Sequence, residues 1–231
     1  MLKPMREIRM SESIRTGVLL ALAGGAMDAH SYLFRGNVFS NAQTGNMLLV
    51  GVHAAQGEFS LALSHLWPIL AFMAGIFLAD RIRYRSSFSR LHWRQWAVAV
   101  EIVLLALVSG LPNAWDALAN ALLSFACGIQ VESFRSIHGK AAATTMLIGN
   151  LRSFTTAAER FLRSHSHEAL RHMALYSGLI VSFVLGAIIE SWLIALMGKA
   201  SILFCVILLS IVFCLLSNHS TKDGLSEQKD R

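Results

Sequence analysis

The sequence predicts an all-α polytopic membrane protein with six spanning helices and two re-entrant or half-length helices, arranged as two inverted repeats. Three observations carry that expectation. Only 15% of the 231 residues are charged and the mean hydropathy is +0.53, whereas soluble domains carry about 25% charged residues. Six apolar segments are long enough to cross a hydrocarbon core of about 30 Å as helices. Two further segments break the apolar pattern with a polar Gly-Asn turn, "NAQTGN" at 41–46 and "LIGN" at 147–150. They fall at matching places in the two halves.

The elements follow in chain order. Residues 1–14 read as a cytoplasmic N-terminal arm. "KPMREIR" followed by "GVLLALAGGA" has the charge order of a signal peptide. Its apolar core is short and Asp28 comes soon after, so Thr16–Phe34 reads as an uncleaved first helix. Residues 37–55 hold the first polar turn and then "MLLVGVHAA". Leu63–Ala79 and Gln95–Leu111 are the second and third spans, separated by an Arg-rich loop at 81–94. Asp116–Ile137 is the fourth. The second interrupted element, "AAATTMLIGNLRSFTTAAERFL" at 141–162, contains Arg152, Glu159 and Arg160, and a His-containing loop lies near 163–171. Leu170–Leu196 and Ser201–Leu216 complete the six, and residues 218–231 are a polar cytoplasmic tail. The reading is one transmembrane domain over 15–217, with halves at about 15–111 and 116–217.

The positive-inside rule decides what the two interrupted segments do. If both dip in and return, only Arg35 and Lys199 of the twenty Lys and Arg residues face away from the cytoplasm. If both span, the arginines of the 81–94 loop, Arg135 and Lys140 move outside, and Arg152 is stranded in the bilayer. The first arrangement is expected, with both termini cytoplasmic in a bacterial inner membrane. The halves then run in opposite senses. A gapless overlay places Gly24 on Gly128, Asp28 on Glu132 and Gly45-Asn46 on Gly149-Asn150. After a small shift, Phe72 and Gly75 fall on Phe183 and Gly186.

The net charge of +6 is that of cytoplasmic loops against anionic lipid, so nucleic acid is not an expected partner. Cys127, Cys205 and Cys214 all lie in apolar segments, as inert buried thiols do. No Gly-rich phosphate loop, HExxH or GxSxG occurs. In "SHSHEALRH", His165, His167, Glu168 and His172 have metal-ligating side chains but no second cluster to complete a site. No metal or cofactor is expected.

The first helix of each half carries one carboxylate at membrane depth. Asp28 and Glu132 are each about 8–9 Å below opposite faces at ~1.5 Å per residue. Intramembrane carboxylates are protonated, paired or wet. One reading is therefore a proton- or cation-coupling pair, and the other is carboxylates that pack helices together. Irregular backbone at membrane depth survives only inside protein or beside a wet cavity. Gly45 and Gly149 permit a turn or close approach. Asn41, Gln43, Thr44, Asn46, Thr144, Thr145 and Asn150 can pair freed backbone groups or replace a solute's water shell. They can equally act as polar glue between helices. Gln130, His30 and Tyr32 flank the carboxylates and would line the same cavity. Glu101 lies in the third span, and Glu190 in the fifth near the outer interface.

"AGGAMDAHSYLFRGNVFSNAQTGNMLLVGV" resembles the opening signature of the YoaK-like family, small bacterial multi-pass membrane proteins of unknown function. The likeness rests on Gly25, Asp28, Ala29, Tyr32, Gly36, Phe39, Thr44, Gly45 and Asn46. Gly128, Gln130, Thr144, Thr145 and Gly149 are similar to the family's second-half stretch. The chain departs from that pattern in Val131, Glu132 and Ile148. The resemblance implies a bacterial inner-membrane protein and names no activity.

Three readings of function follow. The leading one is a small-solute transporter or permease, not an enzyme, with solute between the two Gly-Asn turns and Asp28 and Glu132 in coupling. The second is a non-catalytic subunit or sensor whose polar motifs only knit helices. The third, an intramembrane enzyme, would use Asp28 and Glu132 as acid and base. The expected partners are the bilayer, a small solute with proton or cation coupling, and, as an open option, further copies of the chain.

Overall fold

The computed structural model of the chain describes residues 13–85, 90–137, 140–141, 144–145 and 147–229. Among them are eight α-helices: α1 (Ile14–Phe34), α2 (Gln43–Ala55), α3 (Phe59–Arg85), α4 (Arg90–Gly110), α5 (Asp116–Ser133), α6 (Leu147–Ser164), α7 (His167–Met197) and α8 (Leu203–Lys229). A two-residue antiparallel pair, β1 (Ser136–Ile137) with β2 (Lys140–Ala141), lies between α5 and α6. Most of the expected N-terminal arm, residues 1–12, and the centre of the Arg-rich loop, residues 86–89, lie outside the described residues.

Local chemistry sets several ends. Ser13 caps α1, its Oγ accepting from Thr16 N at 3.2 Å, and Ser166 caps α7 through Ala169 N. α1 stops at Arg35, where Gly36 and Asn37 turn the chain with φ of 86° and 60°. Some boundaries differ from the sequence reading. α3 runs on through Arg85, so the expected Arg-rich loop begins as helix. α5 ends at Ser133 rather than Ile137, and the chain enters β1. α8 continues to Lys229, so the polar tail expected from 218 is helical.

Four stretches among the described residues are long and apolar enough to cross a membrane: Phe59–Tyr84, Trp93–Gly110, Asn113–Ser133 and His167–Ser217. The last holds both α7 and α8. α1 is not among them, although it has 21 residues. It carries Asp28 and His30, and between Leu20 and Ser31 nearly every residue is buried by protein. A helix sheathed by other helices need not be apolar all round. α2, at 13 residues, reaches ~20 Å and cannot cross a ~30 Å core.

The helices pack in a repeating pattern. The most extensive pairings are α1 with α7 and α3 with α5, followed by α6 on α7, α2 on α3 and α4 on α8. Close backbone approach at glycine sets the first two. A Cβ on Gly25 would strike the Phe183 carbonyl, and one on Gly186 the Leu22 carbonyl. The same exchange joins α3 and α5, where Gly128 faces the Phe72 carbonyl and Gly75 the Phe125 carbonyl. In these contacts Gly25 corresponds to Gly128, Leu22 to Phe125, Phe72 to Phe183 and Gly75 to Gly186. That register puts Asp28 opposite Val131. It differs by one residue from the sequence overlay, which set Asp28 on Glu132.

α1 and α5 cross antiparallel. Asn120 Nδ2 donates to Arg35 O at 2.7 Å, Cys127 lies 3.8 Å from Met27, and Gln130 Nε2 reaches Leu20 O at 3.3 Å. α4 and α8 are also antiparallel, tied by Gln95 to Ser217 at one end and Lys199 to the Gly110 carbonyl at the other. Arg35, buried, donates to the Val108 and Leu111 carbonyls and pairs with Asp116 at 2.9 Å. Arg35 and Lys199 therefore both serve the carbonyl end of α4, where cations are favoured.

Gly25→Ala or Gly186→Ala is expected to force α1 and α7 apart and destabilise the protein by about 1–3 kcal/mol. Gly178→Ala, on the same helix α7 with open space around it, should have little effect. Thermal unfolding of the three variants in detergent checks this.

Candidate functional site

Beyond Arg35 the chain turns back along α1. Ser40 N donates to Ser31 Oγ at 3.1 Å, and Asn41 Nδ2 to the Gly24 carbonyl at 2.9 Å. The segment thus descends from the end of α1 towards its middle before α2 returns. The residue before α2, Ala42, offers no side-chain cap. Asp28, on a different helix, instead holds the chain just ahead of it. Its Oδ1 accepts from Asn41 N at 2.7 Å and from Ser40 Oγ at 3.1 Å, and the residue is 8% exposed. Asn46 staples the tip shut: its Oδ1 accepts from Phe39 N at 3.1 Å, and its Nδ2 donates to Phe39 O and Gln43 Oε1. Gln43 Nε2 in turn donates to Ser40 O at 2.7 Å. Gly45 leaves room for the Phe39 ring, which a Cβ would meet at 3.0 Å. Tyr32 stacks on the Phe39 ring, 4.9 Å centre to centre. Thr44 is exposed.

The second tip comes from the other end of the bundle. Gln130 Nε2 donates to Thr144 Oγ1 at 3.2 Å while also holding the Leu20 carbonyl. A Cβ on Gly24 would lie 3.1 Å from Thr144 O and 3.2 Å from Thr145 Cγ2. Both tips therefore end at Gly24. Around this turn of α1, Asn41 Oδ1, Gln130 Oε1 and Thr145 Oγ1 are buried without a hydrogen-bond partner. The Leu20–Gly24 turn is ringed by oxygens able to accept.

Below the second tip lies a cavity of about 750 Å³. α5 contributes Val131, with Phe134 and Arg135 just beyond its end. The tip contributes Thr144 and Thr145. α6 presents Gly149, Asn150, Arg152, Ser153, Thr156, Ala157 and Arg160, and α7 adds His172 and Tyr176. Of the residues singled out in the sequence, Thr144, Thr145, Gly149 and Asn150 meet here. Asp28, Tyr32, Asn41, Gln43, Thr44, Gly45 and Asn46 belong to the first tip, and Gln130 bridges α1 to the second. The sequence reading missed the rest of the α6 face, although Asn150, Ser153, Ala157 and Arg160 recur at helical spacing.

Glu132 stands apart from Asp28. It pairs with Arg135 and, at 3.0 Å, with Arg83 of α3, so it closes an ion-pair cluster at the Arg-rich end. His30 faces away from both tips. Its Nδ1 lies 3.0 Å from Glu190 Oε1 and 3.1 Å from Ser201 Oγ, and Ser201 donates to the same carboxylate oxygen at 2.6 Å. Glu190, expected near an interface, is fully buried in this cluster. Glu101 is 0% exposed, and neither of its carboxyl oxygens has a hydrogen-bond partner.

These features define a multi-pass helical membrane protein with two inserted polar tips. The chain belongs to the family described as "Protein of unknown function (DUF1275)", whose model matches residues 16–215. It is similar to the UPF0700 transmembrane protein YoaK of Bacillus subtilis (strain 168), at 24% identity over 185 residues, covering 74% of this chain and 79% of that protein. No solved structure matches.

Removing the Asp28 carboxylate should loosen the first tip. Asp28→Ala is expected to speed amide hydrogen exchange across 39–46 and to lower stability by about 1–3 kcal/mol, the penalty for orphaned buried donors. Asp28→Asn, which keeps an acceptor, should do so less. Unchanged exchange in the Ala variant would remove this role. Glu101→Leu relieves a buried, unpaired carboxyl and is expected to melt at a higher temperature than the parent protein in detergent.

Proposed function

We propose that the protein is a small-solute transporter of the bacterial inner membrane, built from two inverted halves. The reading takes α1, α3, α4, α5, α7 and α8 as six spans and the tips before α2 and α6 as re-entrant. Both termini then lie in the cytoplasm. The helix pairings support this, since α1 with α7 and α3 with α5 share one glycine–carbonyl exchange. Charge supports it too. Arg83, Arg135, Arg152 and Arg160 gather at the end assigned to the cytoplasm, and Arg35 and Lys199 are tied down at the other.

The observation that carries the reading is the contrast between the tips. The first is stapled shut by Asp28, Gln43 and Asn46. The second floors a cavity of about 750 Å³. Inverted-repeat transporters bind solute where broken elements meet near the midplane and open one half at a time. Here the meeting point is Gly24, and the open half is the cytoplasmic one.

The dense bonding of the first tip also suits a subunit or sensor whose polar motifs only knit helices. That alternative gives no role to the cavity at the second. The enzyme reading has less support, because Asp28 and Glu132 bind different partners and neither lines the cavity.

Accessibility tests the proposal. In a background with the native cysteines replaced, Ser153→Cys should label with a membrane-impermeant maleimide only from the cytoplasmic side. Ser40→Cys, at the stapled tip, should be silent until a transported solute is supplied, and then label from the periplasm. Solid-supported-membrane currents from proteoliposomes identify such solutes. If Ser40→Cys stays silent with every solute tested while Ser153→Cys reacts throughout, alternating access is refuted.

A further inference from the structure

We propose that the cavity beneath the second tip is an oxyanion site, in which Arg152 and Arg160 take the phosphate or carboxylate group of a small solute. The proposal rests on the transport reading for its purpose and on the cavity's chemistry for its ligand.

Charge makes the case first. The lining contains Arg135, Arg152, Arg160 and His172, and no Asp or Glu. Arg135 is held by Glu132. Arg152 and Arg160 have no acidic partner among the described residues. Glu159, the acid nearest to them in sequence, pairs with Arg163 on the exposed face of α6, and Glu168 lies 3.8 Å from His172. Two exposed arginines thus line the open side of a cavity whose lining holds no acidic residue. Such groups raise the local concentration of anions and bind planar oxyanions through paired N–H donors.

Placement makes the case next. Arg152 and Arg160 stand two turns apart on α6, about 12 Å at the backbone, and Ser153, Thr156 and Ala157 between them are small. The wall is therefore open where the two long side chains can converge. The first turn of α6 also faces the cavity through Gly149 and Asn150, and the start of a helix favours negative charge. At the inner end the Thr145 hydroxyl is buried and unpartnered, free to donate to a bound oxygen. A volume of about 750 Å³ falls in the range of small-molecule sites. An acidic lipid headgroup carries the same oxyanion, so the test separates the two sources.

The full-length protein is purified in an uncharged maltoside detergent. Inorganic phosphate is titrated against chloride at matched ionic strength while thermal unfolding is followed by tryptophan fluorescence. Phosphate, and not chloride, is expected to raise the melting temperature saturably. Arg152→Gln with Arg160→Gln should weaken the apparent affinity about tenfold or more, and Arg163→Gln should leave it unchanged. If the double variant does not fold, Arg152→Lys and Arg160→Lys singly, which keep the charge and lose the fork, should each weaken it. A second arm adds phosphatidylglycerol. Stabilisation by that lipid alone, lost in the arginine variants, would assign the oxyanion to a headgroup and overturn the solute. Equal responses in parent and variants, or no response to either anion, would overturn the site. Arginine-dependent phosphate binding in a protein whose Ser40→Cys never opens would keep the site and discard transport. Alternating access with no anion response would do the reverse.

Discussion

A buried backbone N–H must find a partner, and within a bilayer it cannot borrow one from water. The segment between α1 and α2 meets this constraint most severely, because it carries unwound chain down to the middle of α1. Asp28 meets it from across the fold, taking the Asn41 amide and the Ser40 hydroxyl of the unwound segment. Asn46 then returns both of its polar ends to Phe39 and Gln43. The position of Asn41, its reach to the Gly24 carbonyl and the start of α2 all depend on that one carboxylate. A residue read as a coupling group is thus bound into the architecture.

The second constraint is steric. α1–α7 and α3–α5 each bring a glycine on one helix against a carbonyl on the other, and then the reverse. No larger side chain allows it. This pairing also gives a register between the two helix pairs that rests on contact rather than on residue type. In it Asp28 matches Val131, and Glu132, one residue on, is rotated about a third of a turn away, towards Arg83 and Arg135. The two carboxylates therefore occupy non-equivalent positions and hold different partners.

Much of the architecture was legible. The apolar lengths point to most of the helices. The Gly-Asn pairs, expected as turns, lie instead within the first turns of α2 and α6, and the irregular chain comes just before them. α1 was read from its "GVLLALAGGA" run, although burial rather than hydropathy is what lets it hold Asp28 and His30. The site was half legible. Thr144, Thr145, Gly149 and Asn150 were picked out for their polarity. Arg152 and Arg160 were read only as residues that could not span, since a single sequence does not show that α6 turns them into a cavity with His172 and Tyr176. The His30–Glu190–Ser201 cluster was hidden for a different reason. Glu190 and Ser201 are 11 residues apart, but His30 lies 160 residues from Glu190 and meets it because α1 and α7 run parallel.

The two tips answer the same demand for backbone partners with different chemistry. At the first, a carboxylate takes the donors, the surrounding amides close over it, and the negative charge is spent within the fold. At the second, the neutral amide of Gln130 holds Thr144, and the nearest carboxylate, Glu132, is turned outward to the arginines. Gln130 is itself outside the lining of the cavity below, which carries no Asp or Glu. With an amide there, Thr144 is held without adding a carboxylate beside that lining. The asymmetry between the tips thus lies in the group that holds each one: a carboxylate of α1 accepts at the first, and an amide of α5, one residue from the position that matches Asp28, donates at the second.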